Sequence, residues 1–219
     1  MTDLTFLDRN LDAVRTLARA KTPGDESAHD FQHVLRVAAN AETLARAEGA
    51  SVGVAVSAAL LHELFNHPKG HPDKKRSGEI CAARAAVELR ALGAPEDEVA
   101  AVSYAIAVHP FSLGVLPTTL EARILQDADR LDAIGAVGIA RCFATTADMK
   151  RPFYSVDDPF CSSRAPDDRA WGIDHFFTKL LGLGAGMHTA TARSIAARRV
   201  AFMRTFLDEL ASEITPARV

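Results

Sequence analysis

The sequence predicts an all-α protein, and three observations carry this prediction. Apolar residues recur at spacings of three and four along most of the chain, and residues typical of helix ends bracket these runs. No segment shows the alternation with a period of two that marks a half-buried strand. The 219 residues are 48% hydrophobic, which is enough for a sizeable core. We therefore expect a single helical domain over residues 1–219, with its core at about 29–210.

The predicted helices of the first half follow one another closely. Residues 29–49 place apolar side chains on one face, from Val34 to Ala45. The residues from Ser27 to Asp30 resemble a capping box in front of this helix, and Gly49 ends it. Three further helices are predicted at 54–65, 77–92 and 95–108.

The second half begins with a long predicted helix. Thr118 to Glu121 form a second candidate capping box, and the apolar pattern continues to about Thr146. Residues 147–170 are rich in Pro, Asp, Ser and Arg, which predicts a long irregular loop, and such loops are often functional. The last two helices are predicted at 171–182 and 190–213.

Composition and charge exclude several classes of partner. A net charge of −3 does not favour binding to a nucleic acid polymer, which calls for a strongly basic surface. The three cysteines form no CxxC pair, which suits free thiols in a reducing compartment. The first ten residues lack the pattern of a secretory signal, and no apolar run is long enough to span a membrane. We expect a cytoplasmic protein, with its oligomeric state, a homodimer included, left open.

A histidine and a carboxylate stand together in the apolar run AALLHELFN, as His62 and Glu63. Burial of a carboxylate is costly unless the group is paired or binds a metal. The zinc-peptidase motif HExxH requires a second histidine four residues after the first, but position 66 is Asn66. His67 stands five residues on, a rotation of about 500°, and cannot share the face of His62. The peptidase interpretation is therefore rejected.

Two more groups of candidate ligands flank this pair in the sequence. The segment QDADRLDAIGAVGIAR, residues 126–141, holds Asp129 and Asp132 three residues apart on one helix face. These acids could form a solvated face paired with Arg130, but the surrounding apolar and small residues favour a bound cation. The segment HDFQHVLRV places His29 and His33 on one face. A histidine, the His-Glu pair and an aspartate from three helices would form an octahedral site, and nitrogen and oxygen donors without thiolate favour Mn, Fe, Co or Mg over structural zinc.

The order His33, His62-Glu63, Asp129 resembles the H…HD…D signature of the HD-domain metal-dependent phosphohydrolases, and more narrowly their small single-domain bacterial branch. The similarity covers roughly residues 29–205, and QDADRLDAIGAVGIAR is its most specific stretch. The resemblance implies an HD-domain helical bundle with one buried divalent metal ion. Its ligands would be His33, His62, Glu63 and Asp129, and the ion would be Mn, Fe, Co, Mg or Ni, with Mn favoured. The chain departs from the family at Glu63, where the family has aspartate.

The resemblance also implies the reaction, which is hydrolysis of a phosphate ester or anhydride by a metal-activated water. The expected partner is a small phosphorylated substrate, a nucleotide in the first instance. Catalytic roles fall to Lys69, His109 and Asp132. Substrate-binding roles fall to Arg36, His71, Arg76 and Lys179.

Blander interpretations of these residues stay open. The segment KGHPDKKR could be a solvated basic loop, Lys179 could reach the surface, and Asp132 could be a surface ion-pair partner. Within the basic segment, the family pattern favours Lys69 and Arg76 over Lys74 and Lys75.

Two other functions remain open on the same fold. One is an HD-type di-iron oxygenase, which needs a second metal that His67, His71 or His109 could bind. The other is a catalytically degenerate protein that binds a ligand without hydrolysing it.

Overall fold

The computed structural model describes residues 4–23, 30–68, 71–110 and 113–214. All regular secondary structure in these ranges is helical, which confirms the predicted all-α class. The helices are α1 (Phe6–Lys21), α2 (Phe31–Glu48), α3 (Val52–Leu61), α4 (Ser77–Ala91), α5 (Glu96–Val108), α6 (Leu120–Asp132), α7 (Gly135–Asp148), α8 (Asp174–Thr178) and α9 (Ala190–Ile214), with 3-10 turns at Lys74–Arg76 and Leu180–Gly186. Among the described residues, no helix combines the length and the apolar character needed to cross a membrane. The chain divides into two compact units, Met1–Asp129 and Arg130–Val219.

Helix α1 was not predicted from the sequence. It begins with a capping box, in which the Thr5 hydroxyl accepts a hydrogen bond from the Asp8 amide and the Asp8 carboxylate accepts one from the Thr5 amide. Its buried residues are Leu7, Val14 and Ala18. The Glu98 carboxylate on α5 accepts hydrogen bonds from the amides of Phe6 and Leu7, which lie in the first turn of α1. These bonds connect α1 to α5.

Helix α3 lies at the centre of the first unit, in contact with α1, α2 and α5. Every residue from Gly53 to Leu61 is buried. A Cβ atom at Gly53 would lie 2.6 Å from the Asp8 amide nitrogen, so only glycine permits this approach of α3 to α1. The helix ends at Leu61, four residues before the predicted end. His62 and Glu63 therefore lie in the turn that follows α3 rather than within it.

The helix caps differ from both predicted capping boxes. Asp30 itself caps α2, because its carboxylate accepts a hydrogen bond of 2.9 Å from the His33 amide, while Ser27 and His29 lie outside the described residues. At α6 the cap is Thr119, whose hydroxyl accepts a hydrogen bond from the Ala122 amide.

The prediction of one long helix to Thr146 was wrong, because α6 ends at Asp132 and α7 begins at Gly135. Gly135 has a φ of +79°, which side-chain-bearing residues rarely adopt. Glycine is also required three residues later, since a Cβ at Gly138 would lie 2.2 Å from the Ala133 carbonyl oxygen. The predicted helix at 171–182 is replaced by the short α8 and a 3-10 turn, whereas α9 confirms the prediction for 190–213.

The segment predicted to be irregular, 147–170, begins within the last two residues of α7, and no helix lies between Asp148 and Asp174. Asp174 anchors this segment from the start of α8. Its buried carboxylate accepts hydrogen bonds of 2.5 and 2.9 Å from the Arg164 guanidinium and of 2.6 Å from the Asp167 amide. The indole of Trp171 stacks against the same guanidinium, 4.3 Å from the ring centroid.

Candidate metal centre

Four elements of the first unit bring histidine and carboxylate groups together. His33 lies in the first turn of α2, His62 directly after α3, His109 directly after α5, and Asp129 near the end of α6. The first two side chains are buried, with 0% and 2% of the residue exposed. The Nε2 atoms of His33 and His62 lie 3.3 Å apart, and Asp129 Oδ1 lies 3.5 Å from His33 Nε2. One ligand atom from each of these three residues falls within 4.8 Å of the other two.

The orientation of two imidazoles is fixed by the backbone. His62 Nδ1 lies 2.6 Å from the carbonyl oxygen of Ala59, and His109 Nδ1 lies 2.6 Å from that of Ile106. A carbonyl only accepts, so each Nδ1 carries a proton and donates it, and in a neutral imidazole the lone pair then lies on Nε2. Both histidines thus use the carbonyl three residues back at the end of a helix. This outer contact is the one that orients metal-binding imidazoles in proteins.

Asp129 and His109 both have a pKa that departs from its usual value. Burial raises the pKa of Asp129, but the nearby His33, His62 and His109 outweigh it and bring the pKa below its usual value. Burial lowers the pKa of His109, and the neighbouring His62 lowers it further. We call His33, His62, His109 and Asp129 the cluster. At neutral pH the cluster therefore holds an ionised Asp129 carboxylate and a neutral His109.

The donor set fits a divalent cation. It offers imidazole nitrogens and a carboxylate oxygen, which suit Mn, Fe, Co, Ni and Zn alike. The nearby Cys81 does not add a thiolate, because its Sγ–H donates to the carbonyls of Leu61 and His62 at 3.3 and 3.1 Å. Burial raises the pKa of this thiol to about 12, so it stays protonated. The cluster could therefore hold a divalent metal ion through nitrogen and oxygen alone.

Glu63, the fourth predicted ligand, lies at the edge of the cluster. Its Oε1 is 3.9 Å from His62 Nε2, but it is not part of the three-residue group whose ligand atoms lie within 4.8 Å. Its Oε2 accepts a long hydrogen bond of 3.5 Å from the side-chain amide of Asn66. Ligation by Glu63 stays a prediction.

Lys74, in the basic segment after the cluster, forms two hydrogen bonds, although the sequence ranked it behind two other cations. Its Nζ donates to Asn66 Oδ1 and to the His67 carbonyl, both at 2.5 Å. Arg76 is exposed and forms an ion pair of 3.5 Å with the exposed Glu79. Lys69 lies outside the described residues.

The remaining predicted residues occupy varied positions. The His71 ring stacks on that of His67 at a centroid distance of 4.1 Å, and Arg36 is half-buried one turn after the histidine of α2. In the second unit, Asp132 is buried and paired with Arg141 at 2.5 Å, not on the surface. Lys179 is exposed after α8.

The structure describes a helical protein in which imidazoles and a carboxylate from separate helices converge on one candidate metal site. The sequence model of the HD domain matches residues 30–134, a range that contains every member of the cluster. An uncharacterized protein of Bacillus subtilis, YpgQ, is 32% identical to this chain over 210 residues, and the alignment covers 94% of each sequence. The chain belongs to the HD-domain superfamily.

Solved structures agree with this assignment. The crystal structure of B. subtilis YpgQ in complex with ADP superposes with a TM-score of 0.74 at 30% identity, over 94% of this chain and 96% of that one. An HD-superfamily hydrolase of Bacillus thuringiensis has a TM-score of 0.75 at 29% identity, over 94% and 97%. A Lactobacillus plantarum protein has a TM-score of 0.72 at 32% identity, over 94% and 96%. The predicted family is confirmed, and its solved relatives include hydrolases.

Proposed function

We propose that this chain is a metal-dependent phosphohydrolase that acts on nucleotides or related phosphate esters and anhydrides. The observation that carries the proposal is the convergence of His33, His62 and Asp129 on one point. The structure of YpgQ with ADP supports a nucleotide as the substrate class, since ADP contains both a phosphate ester and a phosphoanhydride. The proposed metal is a divalent ion, with Mn favoured, and the proposed location of the protein is the cytoplasm.

The chain's own residues divide the work in this proposal. A divalent cation supplies a water of lowered pKa and polarises a phosphoryl oxygen when it is bound. Asp129 contributes negative charge because its lowered pKa keeps it ionised at neutral pH. His109 is neutral at that pH, with its Nδ1 proton engaged by Ile106, so its Nε2 can accept a proton from the attacking water. Glu63 completes the site as a fourth ligand.

Cations outside the cluster bind the phosphoryl oxygens in this proposal. Lys69 remains assigned to the transferred phosphoryl group, with Arg36, His71, Arg76 and Lys179 around the rest of the substrate. Asp132 keeps its predicted place as an orienting group, now through a buried pair with Arg141. Mutation of each to alanine separates these roles, because loss of a substrate contact raises KM while loss of a catalytic group lowers kcat.

The test begins with chelator-treated protein that receives Mn²⁺, Mg²⁺, Co²⁺, Fe²⁺ or Ni²⁺ in turn. Release of phosphate and of pyrophosphate is measured over nucleoside mono-, di- and triphosphates. We expect release that requires an added ion. In Asp129→Ala we expect loss of bound metal and a fall in activity of about 100-fold or more. Asp12→Ala, which removes a 96% exposed carboxylate on α1, is the matched control and keeps both.

Other outcomes would point to other functions. Full metal content in Asp129→Ala would remove this residue from the ligand set. Two irons per chain together with oxygen uptake would indicate the oxygenase, although the described residues contain one group that could hold a metal, and His67 and His71 are stacked on each other. Nucleotides that raise the melting temperature but are never hydrolysed would indicate a binding protein.

A further inference from the structure

The Glu63 side chain is longer than that of the aspartate in the H…HD…D signature, so its carboxylate needs hydrogen-bond donors that hold it in position. In the H…HD…D signature that this sequence resembles, the residue after the second histidine is aspartate, so the Glu63 carboxylate sits one methylene further from the backbone than in that signature. The residue is 9% exposed, and a carboxylate at that depth needs hydrogen-bond donors. One oxygen, Oε1, faces His62 Nε2 at 3.9 Å, while the other, Oε2, faces the Asn66 amide at 3.5 Å. The two oxygens thus point to different partners, one in the cluster and one outside it.

Lys74 determines which way the Asn66 amide faces. An ammonium has only donors, so the atom that lies 2.5 Å from Lys74 Nζ must be the amide oxygen. The amide nitrogen is then directed at Glu63. Lys74 is itself held by a second bond, to the His67 carbonyl, and the His67 amide donates to the Ser77 hydroxyl at 3.1 Å. These contacts join residues 66–67 to residues 74–77, and they hold the Lys74 ammonium in place.

We propose that Asn66 is a positioning residue that holds the Glu63 carboxylate at the metal site, and that Lys74 locks the amide of Asn66 in the required orientation. The inference rests on the proposed function, because it assumes that the cluster binds a divalent ion. An ammonium on the oxygen side of an amide polarises it and strengthens its N–H donor. The contact compensates for the extra methylene, so it matters only while residue 63 is glutamate.

The test is a double-mutant cycle on metal affinity, read by calorimetric titration of metal-free protein with Mn²⁺. Asn66→Ala should weaken Mn²⁺ binding about five- to ten-fold when residue 63 is glutamate. In the Glu63→Asp background the same change should alter the affinity less than about two-fold, because the shorter carboxylate no longer reaches Asn66. Lys74→Met should weaken binding in the Glu63 protein, whereas Lys75→Met, which removes an exposed neighbour, should not.

Each outcome decides between the proposals. If the unmodified protein binds no divalent ion, the proposed metal centre fails and this inference fails with it. If it binds Mn²⁺ but Asn66→Ala leaves the affinity within two-fold, the metal centre stands and the positioning role is wrong. An equal loss in the Glu63 and Glu63→Asp backgrounds also overturns it, since a merely structural asparagine would act in both. Asn66 is exposed, so its variants should fold, and circular dichroism of the metal-free proteins checks this.

Discussion

At the scale of single residues, a thiol fixes the backbone that carries His62. Cys81 is fully buried on α4 and donates to the carbonyls of Leu61 and His62. Carbonyls at the end of a helix have no partner within it, so a side chain or water must satisfy them. The thiol therefore performs a capping task at the point where α3 ends and the candidate centre begins.

Cys81→Ala should lower the free energy of unfolding by about 1–3 kcal/mol, because it removes the thiol donor from the His62 carbonyl and packed volume from the core. The Leu61 carbonyl also loses the thiol, but it still accepts a hydrogen bond of 3.3 Å from the Leu64 amide. Cys81→Ser keeps a donor at the same position and should lose less. Urea denaturation of the metal-free proteins measures both changes. An alanine variant as stable as the unmodified chain would show that the carbonyls find another donor.

The residues of the cluster were predictable, but the contacts around them were not. His33, His62 and Asp129 were predicted because the order of residue types resembles a known signature, and this order can be read from the sequence alone. The roles of Asn66 and Lys74 depend on contacts that join residues 66–67 to residues 74–77, and no local pattern encodes those contacts. The hydrogen bond from His62 Nδ1 to Ala59 leaves no signal either, since its acceptor is a backbone carbonyl.

At the scale of elements, the sequence predicted the presence and approximate position of the helices with strong apolar periodicity. It predicted the residues at which they begin and end less well. Helix α1 was missed although its capping box, Thr5 to Asp8, is visible in the sequence. The break between α6 and α7 had a signal in Gly135, but glycine inside an apolar pattern is ambiguous. The early end of α3 had none, because Leu64 and Phe65 continue the apolar run. The contact found at that point is a tertiary one, the hydrogen bonds from the Cys81 thiol to the carbonyls of Leu61 and His62.

The ion pair of Asp174 makes the irregular segment of the second unit a testable element. Burial raises the pKa of Asp174, but hydrogen bonds from Arg164 and the Asp167 amide outweigh it, and the pKa lies below its usual value. Asp174→Asn should cost roughly 2 kcal/mol at pH 7 and expose residues 149–173 to limited proteolysis. The matched control Asp157→Asn, which changes an exposed carboxylate in the same segment, should do neither.

The pH dependence of this ion pair follows from the direction of the shift. A carboxyl whose pKa is lower in the folded state stabilises the protein above its unfolded pKa of about 3.9, and the contribution disappears as the pH falls through the folded pKa. The stability difference between the unmodified protein and Asp174→Asn should therefore be full at pH 7 and shrink below pH 4. A difference that stays constant down to pH 2 would contradict the assignment.

At the scale of the whole molecule, the similarity to known proteins extends beyond the matched family range. The HD domain model ends at residue 134, yet YpgQ aligns with 94% of the chain. The second unit, Arg130–Val219, is therefore shared with relatives and is not an addition peculiar to this chain. An alignment over nearly the whole chain is expected if residues 1–219 form a single domain. The single-domain organisation stays a prediction.

Metal binding tests the single-domain prediction, because all candidate ligands lie in the first unit, Met1–Asp129. Mn²⁺ at 100 times its Kd adds about 2.7 kcal/mol to the stability of whatever unfolds together with the site. For a chain of this length that should raise the melting temperature by roughly 5–10 °C. If both units belong to one cooperative domain, calorimetry shows a single transition and all of it moves. Two transitions, of which Mn²⁺ moves only one, would show that the units unfold independently, and Asp129→Ala should abolish the shift in either case.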